Sequence, residues 1–260
     1  MNLDLNQLVK WRREFHRFPE IGWSEFWTTS RIADYLEDLG CFEIFLGKQI
    51  INPDFVRGRK QAVVDKGLAN AKAYGANEKW LEKMEGYTGC VALFDSGKPG
   101  KTIALRFDID CVNVTETRSP EHIPNKEGFA SINDGFMHAC GHDAHTTMLI
   151  GACRLLYEIR DKLNVNIKFF FEPAEEEGGG AKFFIEDGLM ENPKVEYMFG
   201  AHVQGYLEVG TIESKYGTLN ASADSIWIDI KGKRGHGAYP QNGIDALVAA
   251  AQIITSLQSI

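Results

Sequence analysis

The chain has no apolar stretch approaching the ~18 residues that a bilayer-spanning helix needs. Its opening, MNLDLNQLVKWRREFHRFPE, lacks the apolar core of a secretory signal peptide, so a cytoplasmic location is expected. Proline is scarce, 8 of 260 residues and without periodicity, which excludes collagen-like and low-complexity classes. No lysine and arginine run occurs, and 28 basic against 36 acidic residues give a formal net charge of −8. A nucleic-acid partner, which wants a basic face, is therefore not expected. The five cysteines (Cys41, Cys90, Cys111, Cys140, Cys153) are odd in number and scattered, with no disulfide-framework spacing; in a reducing compartment they are free thiols. What is present is ordinary globular composition, 44% hydrophobic and 25% charged, in a length suited to one or two domains with a real core.

Helical spacing of Leu5, Leu8, Trp11, Arg12 and Phe15 opens the chain, closed by Pro19. A second helix is expected from Glu25 to Leu39, capped by Ser24 and stopped by Gly40. Cys41 to Leu46 reads as a strand. Residues 48 to 86 read as a strandless insertion, helical around Ala62 to Tyr74. Strands then alternate with helices: Cys90–Phe94 and Thr102–Asp108 joined by the turn SGKPGK, a helix over Asp143–Ile159, a strand over Val165–Phe171, a helix over Gly179–Asp187, a strand over Glu196–His202 and another near Val209–Ser214. This order indicates an α/β layered domain with a parallel or mixed sheet. From Ala221 the character changes: Ser225 to Lys231 alternates like a strand with one exposed face, and an apolar helix over Asp245–Ile260 ends without a cap. The expected organisation is a catalytic domain over 1–220 and the beginning of a small α+β domain over 221–260, truncated within it.

Chemistry concentrates where strands end. In FMHACGHDAHTT, His138, Cys140, His142, Asp143 and His145 crowd the start of a helix. Cys140 and His142 are two apart across Gly141, which suits a Zn²⁺- or Mn²⁺-type ion; the alternative is a glycine-containing loop with small buried residues. In FFFEPAEEEGGGA, Glu175, Glu176 and Glu177 follow a strand end, where one carboxylate can bind metal while its neighbour faces an attacking water. The competing reading is a solvated acidic turn before the next helix. His202 ends an apolar strand, as a ligand or a structural histidine, and His236 lies in the glycine-rich turn GKRGHGAYP. Asp108, Asp110 and Glu116 in RFDIDCVNVTE read as solvated turn acids or as part of a site.

Taken together, REFHRFPEIGWSE, RFDIDCVNVTE, HACGHDAHTTMLIGA, EPAEEEGGGA, GAHV and GKRGHGAYPQNGIDAL resemble the M20 metallopeptidase family, in the amidohydrolase branch that cleaves N-acyl amino acids. Within it, the 48–86 insertion and FASINDGFMHACGHD look most like members that cleave p-aminobenzoyl-glutamate; N-acyl or indole-acetyl amino acids and dipeptides are the alternatives. The resemblance implies a three-layer, zinc-exopeptidase-like α/β catalytic domain with a smaller ferredoxin-like dimerisation or lid domain. It implies two divalent ions, Mn²⁺ or Zn²⁺ and possibly Co²⁺, on Cys140, His142, Glu176 and His202, the thiolate standing where other branches use a bridging carboxylate. Glu175 falls on the general base, and His236 on the histidine that reaches a partner subunit's site and steadies the oxyanion. The expected partners are a small-molecule substrate and a second subunit, in a homodimer or a heterodimer with a related B subunit, without membrane or nucleic acid. The family's final metal-binding histidine has no counterpart beyond His236, a second sign of truncation.

Two rivals stand beside this reading. Cys140 near a helix N-terminus and a histidine could form a cysteine hydrolase, which leaves the paired carboxylates without a role. A catalytically incomplete chain could act as a binding or regulatory partner.

Overall fold

The computed structural model describes residues 4–222 and 226–259, and the chain divides into two compact units, 1–205 and 206–260. No helix among the described residues is long and apolar enough to cross a membrane.

The first unit begins with helix α1 (Leu5–Arg17), whose N-cap Asp4 accepts the N–H of Asn6, and helix α2 (Phe26–Leu39). Gly40 ends α2 in the left-handed conformation, as its sequence position suggests. Ser24 is not the cap: its hydroxyl donates to the carbonyl of Ile21 at 2.7 Å, and Glu25 occupies the capping position without a side-chain capping bond. Strand β1 (Glu43–Leu46) follows. The 48–86 segment holds helices α3 (Gln61–Ala73) and α4 (Glu78–Met84) and no strand among its described residues. It belongs to the core: Val64, Ala71, Trp80, Leu81 and Met84 are buried, and the Trp80 indole donates to Asp34 of α2 at 2.8 Å.

Strands β2 (Cys90–Phe94) and β3 (Thr102–Asp108) form where the sequence places them, but they are not neighbours. After them come a short helix α5 (Ile123–Lys126), helix α6 (His142–Glu158), strand β4 (Asn166–Glu172), helix α7 (Gly180–Glu186) and strand β5 (Val195–Gly200). The sheet order is β1-β2-β4-β3-β5. β4 pairs antiparallel with β2 and parallel with β3, and β3 pairs parallel with β5. In β4 the consecutive residues Phe169, Phe170 and Phe171 alternate between faces and are all fully buried, so both faces of the sheet centre are covered. Phe170 meets Phe184 of α7, and Phe169 meets Phe42 edge-on. The result is the layered α/β fold expected of the catalytic domain.

Because β3, β4 and β5 run parallel, their C-terminal ends lie along one edge of the sheet. The loops that follow them, together with the start of α6, bring a group of titratable residues to that edge.

The second unit holds helix α8 (Ala246–Leu257), capped by Asp245, which accepts the N–H groups of Leu247 and Val248. The strands expected over 209–214 and 225–231 do not form among the described residues; Ser225 lies outside them. An alternating segment becomes a strand only where a neighbour takes its ladder bonds. In this unit only the isolated pair Lys233–Ile244 is bridged among the described residues, and Trp227 remains 88% exposed.

Candidate metal centre

Three strand ends and one helix start supply the cluster. β3 ends on Asp108 and is followed by Asp110; after β4 comes the turn Pro173–Glu177, and after β5, His202 and Val203. The N-terminus of α6 brings Cys140 and His142, with Gly141 between them at φ +96° in the capping position. That glycine is required by space as well as by dihedral, since a Cβ there would lie 2.4 Å from Cγ2 of Val203.

The hydrogen bonds of the histidines define which nitrogens are free. His202 Nδ1–H donates to the carbonyl of Val203 at 2.6 Å, which leaves Nε2 as a lone pair 3.3 Å from Cys140 Sγ. His142 turns Nδ1 to Asp110 Oδ1 at 3.2 Å, and its Nε2 is buried with no hydrogen-bond partner. A ligand atom from each of Cys140, His142 and His202 lies within 4.8 Å of the other two. Glu176 Oε1 is 3.7 Å from His142 Nε2, and Glu175 approaches within 4.8 Å of His142 and Asp110. Of the residues singled out from sequence, five therefore converge: Cys140, His142, His202, Glu175 and Glu176. His236 belongs to the second unit, where its Nδ1 accepts the N–H of Ala238 in an exposed turn.

Asp108 and Asp110 are not solvated turn acids: they are 2% and 0% exposed. Asp110 orients His142 through Oδ1 and accepts the N–H of Glu176 through Oδ2 at 3.0 Å. Asp108 accepts from His145 Nδ1 at 2.5 Å, while His145 Nε2 accepts the N–H of Val203 at 2.9 Å. Both nitrogens of His145 are thus engaged, and it joins the Asp108 carboxylate to the backbone at Val203. Arg106 neutralises part of this negative edge, with Nη1 3.0 Å from Asp108 and Nε against Glu172.

The charge balance favours a cation. Burial disfavours an imidazolium at His142, but the hydrogen bond to Asp110 and the charges of Asp108, Asp110 and Glu176 outweigh it and push its pKa up to about 9. Burial, then Glu176, Glu175 and Asp108, push the Cys140 thiol up to about 12. Burial and the neighbouring acids raise Glu175 as well. In the metal-free chain these groups compete for protons that a divalent ion would replace. An orphaned buried nitrogen, a second bare imidazole nitrogen, a thiol and adjacent carboxylates fit an ion of the Zn²⁺, Mn²⁺ or Co²⁺ class.

Behind the cluster, buried His16 of α1 joins Asp143 at 2.8 Å to Glu116 at 3.0 Å, and Arg12 Nε reaches Asp143 at 2.9 Å. These contacts fix the first turn of α6 against α1. Nothing local in REFHRF marks His16 for this task; its partners lie 100 and 127 residues away.

Residues 104–257 match the model of peptidase family M20/M25/M40. A Haemophilus influenzae homolog of the p-aminobenzoyl-glutamate hydrolase A-subunit is 69% identical over 261 residues, covering 100% of this chain and 61% of the relative. The indole-3-acetyl-aspartic acid hydrolase of Enterobacter agglomerans is 36% identical over 263 residues, covering 98% of this chain and 58% of the relative. The Bacillus subtilis YXEP protein, described as a dinuclear metal binding peptidase from the M20 family, is a structural neighbour with a TM-score of 0.58 and 32% identity. The match covers 81% of this chain and 46% of that one. The chain thus spans less than two thirds of the length of these relatives.

Proposed function

The chain belongs to peptidase family M20/M25/M40, and from that premise we propose that it is the metal-dependent amidohydrolase part of an enzyme that cleaves the amide bond of an N-acyl amino acid. p-Aminobenzoyl-glutamate, cut to p-aminobenzoate and glutamate, is the first substrate to test, because the Haemophilus influenzae relative carries that name at 69% identity. The Enterobacter agglomerans relative makes indole-acetyl-aspartate the second. The supporting observation is the meeting of Cys140, His142 and His202 within 4.8 Å, with Glu175 and Glu176 beside them.

Cys140, His142, Glu176 and His202 are assigned as the ligands of two divalent ions, Mn²⁺, Zn²⁺ or Co²⁺. Such ions would lower the pKa of the attacking water and polarise the scissile carbonyl. Glu175, half-buried and raised in pKa, takes the proton of the attacking water and returns it to the leaving amine nitrogen. Asp110 holds His142 in the tautomer that presents Nε2. His236 is assigned to reach the site of a partner subunit, a second copy or a related B subunit, and to stabilise the oxyanion there. Residues 221–260 are read as part of a dimerisation domain that brings such a partner, and the cytoplasm as the setting.

The test is release of p-aminobenzoate by the metal-loaded chain, before and after chelation. Turnover that vanishes on chelation and returns with Mn²⁺ or Zn²⁺ supports the proposal. Turnover that survives complete metal removal overturns it and favours a cysteine hydrolase.

A further inference from the structure

The turn that carries Glu175 contains an unusual backbone. After β4 the chain passes through Pro173 to Ala174, which is fully buried at φ +52°. For alanine the left-handed region is strained, so something must hold the residue there. The holder is Glu25, 0% exposed and far away in sequence. Its Oε1 accepts the N–H of Ala174 at 2.7 Å, and its Oε2 accepts the hydroxyl of Thr88 at 2.6 Å. Thr88 immediately precedes Gly89, over whose backbone Pro173 packs so closely that a Cβ on Gly89 would lie 2.6 Å from Pro173 Cδ. On its other side the same turn is pinned by Asp110, which accepts the N–H of Glu176. Glu175 lies between these two anchors.

A fully buried carboxylate is costly, and the simplest structural use for one at the start of a helix is a cap. Glu25 makes no side-chain capping bond to α2. Both its oxygens are directed to the turn and to the residue that seats it.

We propose that Glu25 is a positioning residue for Glu175: bracing Thr88 and the strained Ala174 N–H, it fixes the turn that aims Glu175 at His142 and Asp110. This rests on the assignment of Glu175 as the general base. Without the brace the turn relaxes out of its left-handed step, and Glu175 loses its approach while the groups on α6 and after β5 stay where they are.

The test compares Glu25→Ala, Glu25→Gln and Glu175→Gln in the metal-loaded chain, by hydrogen exchange of the peptide covering 172–180, metal content, and kcat against KM. Glu25→Ala should speed exchange in that peptide about tenfold without loosening the peptides of β2 and β4. It should lower kcat by up to about 10²-fold with KM and metal content little changed, the size of effect a small misplacement of a catalytic group has. Glu25→Gln keeps an acceptor for Ala174 and should stay close to the parent in both readouts. If Glu25→Ala does not fold, Thr88→Val, which removes only the hydroxyl brace, should raise exchange in the same peptide and nowhere else. Exchange that is unchanged there, or that rises equally through α2 and β4, overturns the proposal. A Glu175→Gln variant with parental turnover, beside the expected exchange in Glu25→Ala, instead removes the base assignment and leaves the brace standing.

Discussion

Asp110 Oδ1 lies 3.2 Å from Nδ1 of His142 while its Oδ2 accepts the N–H of Glu176, so one buried carboxylate orients an imidazole from α6 and a backbone from the turn after β4. An asparagine is nearly isosteric but cannot accept on both atoms. Asp110→Asn should therefore weaken divalent-ion affinity by about 10–100-fold, the usual cost of losing an outer partner of a metal-binding histidine. Titration of the metal-free chain with Zn²⁺ measures this, and unchanged affinity would mean that Asp110 does not orient His142.

His145 is adjacent to the ligand set but has both nitrogens committed, to Asp108 and to Val203 N–H. His145→Ala leaves a buried carboxylate and the part-buried Val203 amide without this partner and should cost about 3 kcal/mol of stability. Metal content of the folded fraction should be unchanged. A variant that keeps its unfolding midpoint but loses an ion would make His145 a ligand.

Gly141 stands at φ +96° with no room for a side chain against Val203. Gly141→Ala should destabilise by about 2 kcal/mol or more, since left-handed alanine alone costs roughly 1–2 kcal/mol and the clash adds to it. Urea unfolding reads the effect; a midpoint equal to the parent's would show that Val203 moves aside freely.

Lys168 lies in the middle of β4, donates to the carbonyl of Leu189, and is held by burial down to a pKa of about 8 against an ordinary 10.5. Between these values the unfolded chain binds the proton and the folded chain does not, so raising the pH favours folding. The contribution is fully present above 10.5 and is lost as pH falls through 8. The unfolding free energy of the parent minus that of Lys168→Met should therefore climb from about pH 8 to about pH 10.5 and flatten below about pH 7. Parallel pH curves for the two proteins would contradict it.

The strands Cys90–Phe94 and Thr102–Asp108 and the Gly40 helix stop were legible because local pattern and turn residues decide them. The pairing of β2 with β4 instead of β3 was not, because a sheet neighbour 73 to 81 residues away leaves no local mark. The same limit hid the burial of Asp108 and Asp110. In sequence they are acids at a strand end, and it takes the arrival of His142 and His145, 32 and 37 residues later, beside the nearby Arg106, to make their burial tolerable. Cys140, His142, Glu175, Glu176 and His202 were legible as candidates because motif chemistry is short-range. Glu25 was not, since its meaning lies in the backbone of Ala174, 149 residues on. In 226–231 the alternating pattern was plain, yet with no neighbouring strand it stays unpaired among the described residues.

The most direct measurement is the metal stoichiometry of the anaerobically purified, folded chain after exhaustive dialysis, for the parent and for Cys140→Ala. Convergence of thiol, imidazoles and carboxylate on one centre predicts roughly one to two divalent ions per parent chain and a lower count in the variant. A folded parent chain that retains no ion, or a Cys140→Ala variant that retains as many as the parent, would contradict it.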